Sequence, residues 1–434
     1  MFQLHDNSRR RLCLGAFFGL CVAPTVIVLA CGVARHLPGH VAAEARRLTW
    51  QLGPEVSLNR VRHLRPGVVV YEGLELSDPE TGSRILRCRT LQARWQRPTD
   101  QDGPSRRILL LRASQSEIEA DQLTQLWRLV QRTLTCRAGC PDADVRLQAD
   151  ELMLLRGDTR QTLTELYGKI ERLSGGSQLD VGFYLAEAET PEPVQIRIAR
   201  NHQVEPPATG LGLYTGGSAL PCSLVALGVP ELEALGPRSR FCGYLWVNAT
   251  PQGRDGELVG QFTDVDLEGL VARHFPHALR ATAQLTIQRA RFHQGRLEEA
   301  SGSMVAGPGL MSRSLLDAAA GRLGLVRGLE PDMPNGLVSY EQLALSFRID
   351  SQGLTLRGAC LPAGSAAILV GRYGILLREP IRQPVPVAAL VQALVPTGEV
   401  QVPATRETNW LLSRLPVPRA TALRTADAAS PVVH

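Results

Sequence analysis

From Val56 to Gly358 the chain repeatedly alternates apolar and polar residues with a period of two, the signature of strands with one buried face. The sets are Val68, Val70, Leu74, Leu76; Val145, Leu147, Ala149; Leu179, Val181, Phe183, Leu185; Val194, Ile196, Ile198; Ala283, Leu285, Ile287; Leu343, Leu345, Phe347, Ile349; and Leu354, Leu356. Arg, Gln, Asp, Thr and Ser fill the intervening positions, so the pattern predicts a one-sided sheet. The stretch Val56 to Trp95 predicts a β-hairpin, with Asp78-Pro79-Glu80-Thr81-Gly82 as its turn.

Few segments change to a helical period. Gly39 to Leu52 predicts an amphipathic helix through Val41, Ala45, Leu48 and Leu52. Asp121 to Leu134 and Leu163 to Leu173 predict two more. Asp264 and Asp266 are read as caps of a short helix reaching His274, and Ser312 to Leu325 and Val387 to Val395 complete the set. Glycine and proline crowd residues 201–221, which predict a loop or a seam between β-rich parts at 35–200 and 222–414. Residues 415–434 have no periodicity and predict a disordered tail.

The longest apolar stretch, Leu12 to Ala34, carries no charge and follows a basic stub over residues 1–11. As a helix it would rise roughly 35 Å, enough for a bilayer's hydrocarbon core. A retained anchor competes with a cleaved secretory signal and with a lipoprotein signal ending at Cys31. The length favours the anchor, because secretory apolar regions are shorter. Pro24 would kink the span without vetoing it. The tight cluster Arg9-Arg10-Arg11 favours an inside N-terminus, with the bulk of the chain translocated.

Charge sharpens this picture. Of the formal +5 carried by 434 residues, residues 1–65 supply +6, so the remainder is nearly neutral. Arg35, Arg46, Arg47, Arg60, Arg62 and Arg65 thus form a basic collar suited to anionic lipid headgroups, or simply flank and orient the span. No basic stripe marks the remainder, so nucleic acid is not an expected partner.

Six cysteines lie beyond the apolar run. Cys136 and Cys140 could close a small disulfide loop and Cys222 could pair with Cys242, or all could be buried thiols. Metal binding lacks a second close cysteine or histidine pair, and His274 with His277 has no ligand-spaced carboxylate. The sequence has no nucleophile elbow, P-loop, dinucleotide fingerprint or zinc-protease motif. The expectation is a non-enzymatic protein without metal or cofactor.

The apolar run, the stretch Pro66-Gly67-Val68-Val69-Val70-Tyr71-Glu72-Gly73-Leu74-Glu75-Leu76-Ser77-Asp78-Pro79 and the return Leu86 to Trp95 together resemble the start of AsmA-like envelope proteins. Gly260 to Leu267 with Ala283 to Gly302, and Leu343 to Gly358, resemble the same family. These proteins share features with bridge-like lipid-transfer proteins. The resemblance implies an inner-membrane anchor, a periplasmic β-groove and a role in lipid transport or outer-membrane homeostasis. The chain is short for a groove that must bridge a periplasm.

The expected fold is therefore mainly β with a few short helices: an N-terminal transmembrane helix, then an elongated, curved, antiparallel-rich sheet forming a groove or half-pipe. A closed β-sandwich is the alternative. A one-sided sheet with so few helices must bury its face against something, and acyl chains would serve, each CH₂ being worth roughly 0.8 kcal/mol. Val68, Val70, Leu74, Leu76, Leu179, Val181, Phe183, Leu285, Ile287, Leu345, Phe347 and Leu356 are the expected groove lining. Membrane phospholipids are the expected partners. The rival function is an envelope scaffold or assembly factor that binds another envelope protein.

Overall fold

The computed structural model describes residues 10, 14–34, 38–96, 107–135, 143–156, 159–186, 192–226, 230–250, 253–272, 275–328, 336–361, 366–395 and 414–416. The protein is mainly β with few helices, as its alternation predicts. It divides into two compact units between Tyr167 and Gly168, inside a strand.

In the first unit the apolar run is α-helical at residues 14–17, passes through a π-helical turn, Phe18–Val22, and continues as helix α1 (Ala23–Ala34). This corrects the expectation of one uniform span over Leu12 to Ala34: among the described residues no helix is long and apolar enough to cross a membrane. Pro24 supplies the reason. It has no N–H for the carbonyl four residues back, and the turn before it widens, Ala23 N–H bonding Phe18 O. The Thr25 hydroxyl donates to Cys21 O at 2.6 Å, satisfying another backbone acceptor there.

Helix α2 (Pro38–Leu52) matches the expected amphipathic segment. Thr49 Oγ1 accepts from Val56 N at 3.0 Å where the chain turns into the sheet. The strands are β1 (Glu55–Ser57), β2 (Arg60–Arg65), β3 (Val68–Ser77), β4 (Arg84–Gln96), β5 (Arg107–Glu119), β6 (Ala143–Arg156) and β7 (Thr159–Leu173), which crosses the division. β1 and β2 share one edge of β3, β3–β4–β5 are antiparallel, and β5–β6 are parallel. Helix α3 (Leu123–Thr135) makes the β5–β6 crossover, where the sequence expects a helix. The predicted hairpin forms as β3–β4. In its turn the buried Asp78 accepts from Glu80 N at 3.1 Å and Thr81 Oγ1 at 3.0 Å.

The second unit contains β8 (Gly176–Leu185), β9 (Val194–Asn201), β10 (Ala208–Tyr214), β11 (Leu220–Pro221), helix α4 (Cys222–Val225), β12 (Arg240–Thr250), β13 (Gly253–Asp266), helix α5 (Leu267–Ala272), β14 (Leu279–Arg280), β15 (Thr282–His293), β16 (Arg296–Ala306) and β17 (Gly309–Ser312). Helix α6 (Arg313–Leu323), β18 (Leu325–Arg327), β19 (Leu337–Tyr340), β20 (Gln342–Asp350), β21 (Gly353–Gly358), β22 (Ala367–Gly371), β23 (Gly374–Pro380) and helix α7 (Val387–Leu394) follow. The main ladder runs β8–β9–β10–β12–β13–β15–β16–β20–β21, every pair antiparallel. β20 also pairs β22, which leads through β23 to β18. A small separate sheet has the order β14–β17–β19. Among the described residues β8 does not pair with β21 or β18, so the ladder does not close on itself within this unit.

Two expectations are corrected. Residues 201–221 are not a continuous loop, because β10 lies within them and pairs with both β9 and β12. Leu211 and Leu213 alternate with Gly210 and Gly212, so the period of two persists through the glycines. Leu163 to Leu173 is strand, not helix. Glu165 there takes a positive φ of 51°, and the buried Leu163 and Leu166 straddle it three apart, imitating a helical step. Gln115 (φ 50°) between Ala113 and Ser116, and Asp264 (φ 54°) between Phe262 and Val265, repeat the device. At Asp264 the register with β15 shifts by one, as in a β-bulge.

The remaining helices fall near their predicted places. Ser312 caps α6 by accepting from Leu315 N at 3.3 Å, and Gly324 ends it at φ 69°. Asp266 accepts from Glu268 N at 3.0 Å at the start of α5. Cys136, Cys140, Arg35 and His274 lie outside the described residues, as does the tail apart from Leu415 and Pro416.

Candidate functional site

The ladder of the second unit has a continuous apolar face, and its register fixes which side chains share it. Across β8, β9 and β10 the rows are Val181–Ile196–Leu213 and Leu179–Ile198–Leu211. β12 continues the face with Phe241, Leu245 and Val247, and β13 with Leu258 and Phe262. Beyond these, Leu285 lies opposite Met304 and Ile287 opposite Gly302. Met304 then meets Leu345, Gly302 meets Phe347, and Phe347 meets Leu356. At about 4.8 Å between strands, nine strands carry this face about 38 Å.

All eight groove candidates of this unit therefore fall on one face: Leu179, Val181, Phe183, Leu285, Ile287, Leu345, Phe347 and Leu356. Burial divides them. Leu179, Phe183, Ile287 and Leu356 are buried, whereas Val181, Leu285, Leu345 and Phe347 remain half-exposed. Phe347 lies over Gly302, where an added Cβ would stand 3.0 Å from the ring and 2.3 Å from Thr286 O. Glycine thus admits the aromatic ring directly onto the backbone.

Helices cover this unit's sheet unevenly. Among the described residues they pack against β11, β12, β18 and β21, while no helix packs broadly along β8, β9, β10, β13, β15, β16 or β20. α6 and α7 pack on each other, with Leu316 and Val391 buried. The buried His277 ties them together. Its Nδ1 is 2.9 Å from Ser314 Oγ, and its Nε2 is 3.1 Å from Ala393 O. Burial pushes its pKa down, and the carbonyl only partly offsets this.

The opposite face is polar and laced with ion pairs. Arg197 meets Asp180 at 2.6 Å, Arg289 meets Glu257 at 3.0 Å, and Arg348 meets Glu299 at 3.3 Å. Tyr214, Tyr244, Trp246 and Val259 interrupt it as an exposed patch, Tyr244 lying opposite both Tyr214 and Val259.

The other four candidates belong to the first unit. Val68, Leu74 and Leu76 are buried and Val70 is half-exposed. Val70 does not join an apolar row, because its register partners are Gln92 and, beyond it, Arg112. The apolar rows beside it are Val69–Ala93–Leu111–Leu147 and Tyr71–Leu91–Ala113–Ala149. Gly73, at φ 64°, breaks the rhythm between Tyr71 and Leu74, so the one set Val68, Val70, Leu74, Leu76 is corrected to two.

Helix α2 packs against β1 and β2, and His40 Nε2 is 3.0 Å from His63 Nε2. Burial, with Glu44 assisting, pushes the Tyr71 pKa up. Arg46, Arg47 and Trp50 lie on its exposed side, Trp50 at 79% exposure. Arg60, Arg62 and Arg65 on β2 are also exposed, Arg62 reaching Glu72 at 3.3 Å.

Cys222 and Cys242 are free thiols, so the disulfide alternative does not form, and Cys242 accepts from Thr215 Oγ1 at 3.6 Å. Among the described residues no group of three or more His, Cys, Asp or Glu is placed to hold a metal ion. No family model and no characterised protein matches the chain.

Proposed function

We propose that this is a membrane-anchored, AsmA-like periplasmic protein whose apolar sheet face binds or passes phospholipid acyl chains, serving lipid transport or outer-membrane homeostasis. The observation that carries the proposal is the nine-strand apolar face with half-exposed Val181, Leu285, Leu345 and Phe347. A face of this extent costs free energy in water unless something apolar covers it, and acyl chains match its chemistry without needing polar partners.

The first unit supports the anchor. Helical turns follow one another through residues 14–34, about 30 Å at 1.5 Å per residue, with Leu20, Ile27, Val28 and Leu29 exposed. An apolar helix whose described side chains are this exposed is suited to lipid. On α2, Trp50 beside Arg46 and Arg47 has the composition of a helix at headgroup level. In this reading the N-terminus is cytoplasmic, the single span lies in the inner membrane, and both units are periplasmic.

The test is site-specific photocrosslinking in membranes, with a benzophenone side chain at Val181, Leu285 or Phe347 and opposite-face controls at Thr286 and Ser346. Adducts to phospholipid at the first three positions alone support the proposal. Lipid adducts equally frequent on both faces, or none, overturn it. The exposed patch of Tyr214, Tyr244, Trp246 and Val259 favours the second reading, an envelope scaffold; a single protein adduct at Trp246 with no lipid adduct elsewhere would establish that instead.

A further inference from the structure

The apolar face has a polar rim, and one arginine on it is incompletely satisfied. On β9 the series Val194, Ile196, Ile198 ends at Arg200, which shares their face by alternation. Its row runs Ser177–Arg200–Thr209–Ala249 across β8, β9, β10 and β12. Arg200 Nη1 donates to Thr209 Oγ1 at 2.9 Å. Its Nε is shielded from solvent and has no hydrogen-bond partner. Leaving a shielded charged donor unpaired is costly.

Arg197, on the other face of the same strand, has the contrasting arrangement: its Nε donates to Asp180 at 2.6 Å. Among the described residues Arg200 has no equivalent carboxylate. The face it shares on β8, β9, β10 and β12 carries Ser177, Leu179, Val181 and Phe183, then Thr209, Leu211 and Leu213, and these four strands place no Asp or Glu on that face. With Nη1 engaged by Thr209, the Nε–Nη2 edge remains, the fork of donors that fits two oxygens of one carboxylate or phosphate.

We propose that Arg200 forms a headgroup site at the rim of the apolar face, binding through its Nε–Nη2 edge the carboxylate or phosphate of an amphiphile whose acyl chain lies over Ile198 and Ile196. The site rests on the acyl-chain reading of the face and adds a charge requirement to it. Neutral lipids would occupy the face without this contact, while anionic single-chain lipids would be held in register at one end.

The experiment measures binding of three probes to the full chain in detergent: oleate, 1-oleoyl lysophosphatidate and neutral monooleoylglycerol. Wild type should favour one or both anionic probes over the neutral one, and whichever is favoured identifies the headgroup. Arg200→Met should weaken the favoured probe roughly ten- to hundredfold, the range for hydrogen bonds to charged groups, and leave monooleoylglycerol unchanged. Arg197→Met, on the polar face, should change none of them. Should Arg200→Met fail to fold, Arg200→Lys keeps the charge without the fork and should lose most of the preference. Equal wild-type affinity for all three probes, or a preference that survives these Arg200 variants, overturns the headgroup site while leaving the apolar face standing. Failure of all three probes to bind wild type overturns both.

Discussion

Phe241 and Phe347 occupy the same face of one sheet, and replacing each with alanine should separate core from binding surface. Phe241 is fully buried, its ring centroid 4.9 Å from that of Phe262. Phe241→Ala removes a complete aromatic side chain from a packed site and should cost about 3–5 kcal/mol. Phe347 is half-exposed over Gly302, so its truncation forfeits only part of the 1.5–3 kcal/mol of full burial, about 1 kcal/mol. With a urea slope near 3 kcal/mol per molar, the midpoint should fall by about 1–1.7 M for Phe241→Ala and about 0.3 M for Phe347→Ala. Far-UV circular dichroism during urea titration reads both shifts. The order should reverse for ligand: Phe347→Ala should weaken oleate binding several-fold, while Phe241→Ala, assayed where still folded, should not. Equal midpoint losses for the two variants would mean that Phe347 is ordinary core and that the face is not available to acyl chains.

Other outcomes follow from single features. Burial holds His277 below its ordinary pKa, so the unfolded chain binds more protons once the pH falls below about 6.5. Its contribution to stability is full above that pH and declines as pH drops through the folded value; His277→Gln should flatten the dependence of the urea midpoint between pH 7 and 5, and unchanged slopes would refute the assignment. Gly302→Ala places a Cβ 2.3 Å from Thr286 O and should destabilise the protein by about 1–3 kcal/mol, measured by the same titration. Burial raises the pKa values of the Cys222 and Cys360 thiols, so iodoacetamide should label them only on unfolding, as peptide mapping would report. In proteoliposomes, Trp50→Phe should remove a fluorescence component quenched by brominated lipid; quenching that persists unchanged would place α2 away from the headgroups.

How far the sequence reveals the fold depends on where its period of two is interrupted. Between interruptions the reading holds residue by residue: β3–β4 forms the predicted hairpin, and eight lining candidates from β8, β15, β20 and β21 meet on one face because register preserves parity across neighbouring strands. At Glu165 it fails, since one residue at positive φ slips the buried phase and turns Leu163, Leu166 and Ile170 into a helix-like series. The same slip at Gly73 makes Val70 look continuous with Leu74, although its neighbour across the sheet is Gln92. Only φ values, which composition does not encode for Gln, Glu or Asp, locate these points.

Arg200 is a different case, because parity does place it. Extending Val194, Ile196, Ile198 by two residues reaches Arg200, and extending Leu179 backwards by two reaches Ser177. Stopping each series at its last apolar member treats the first polar residue as the end of the strand. In the structure those residues are the end of the face, still inside β8 and β9 and hydrogen-bonded across the ladder. For a sheet that offers its apolar side to an amphiphile, the position where alternation continues but polarity changes is where a headgroup would meet the protein. The informative residue is thus the first polar one that keeps the period, and here it is an arginine with its Nε unpaired.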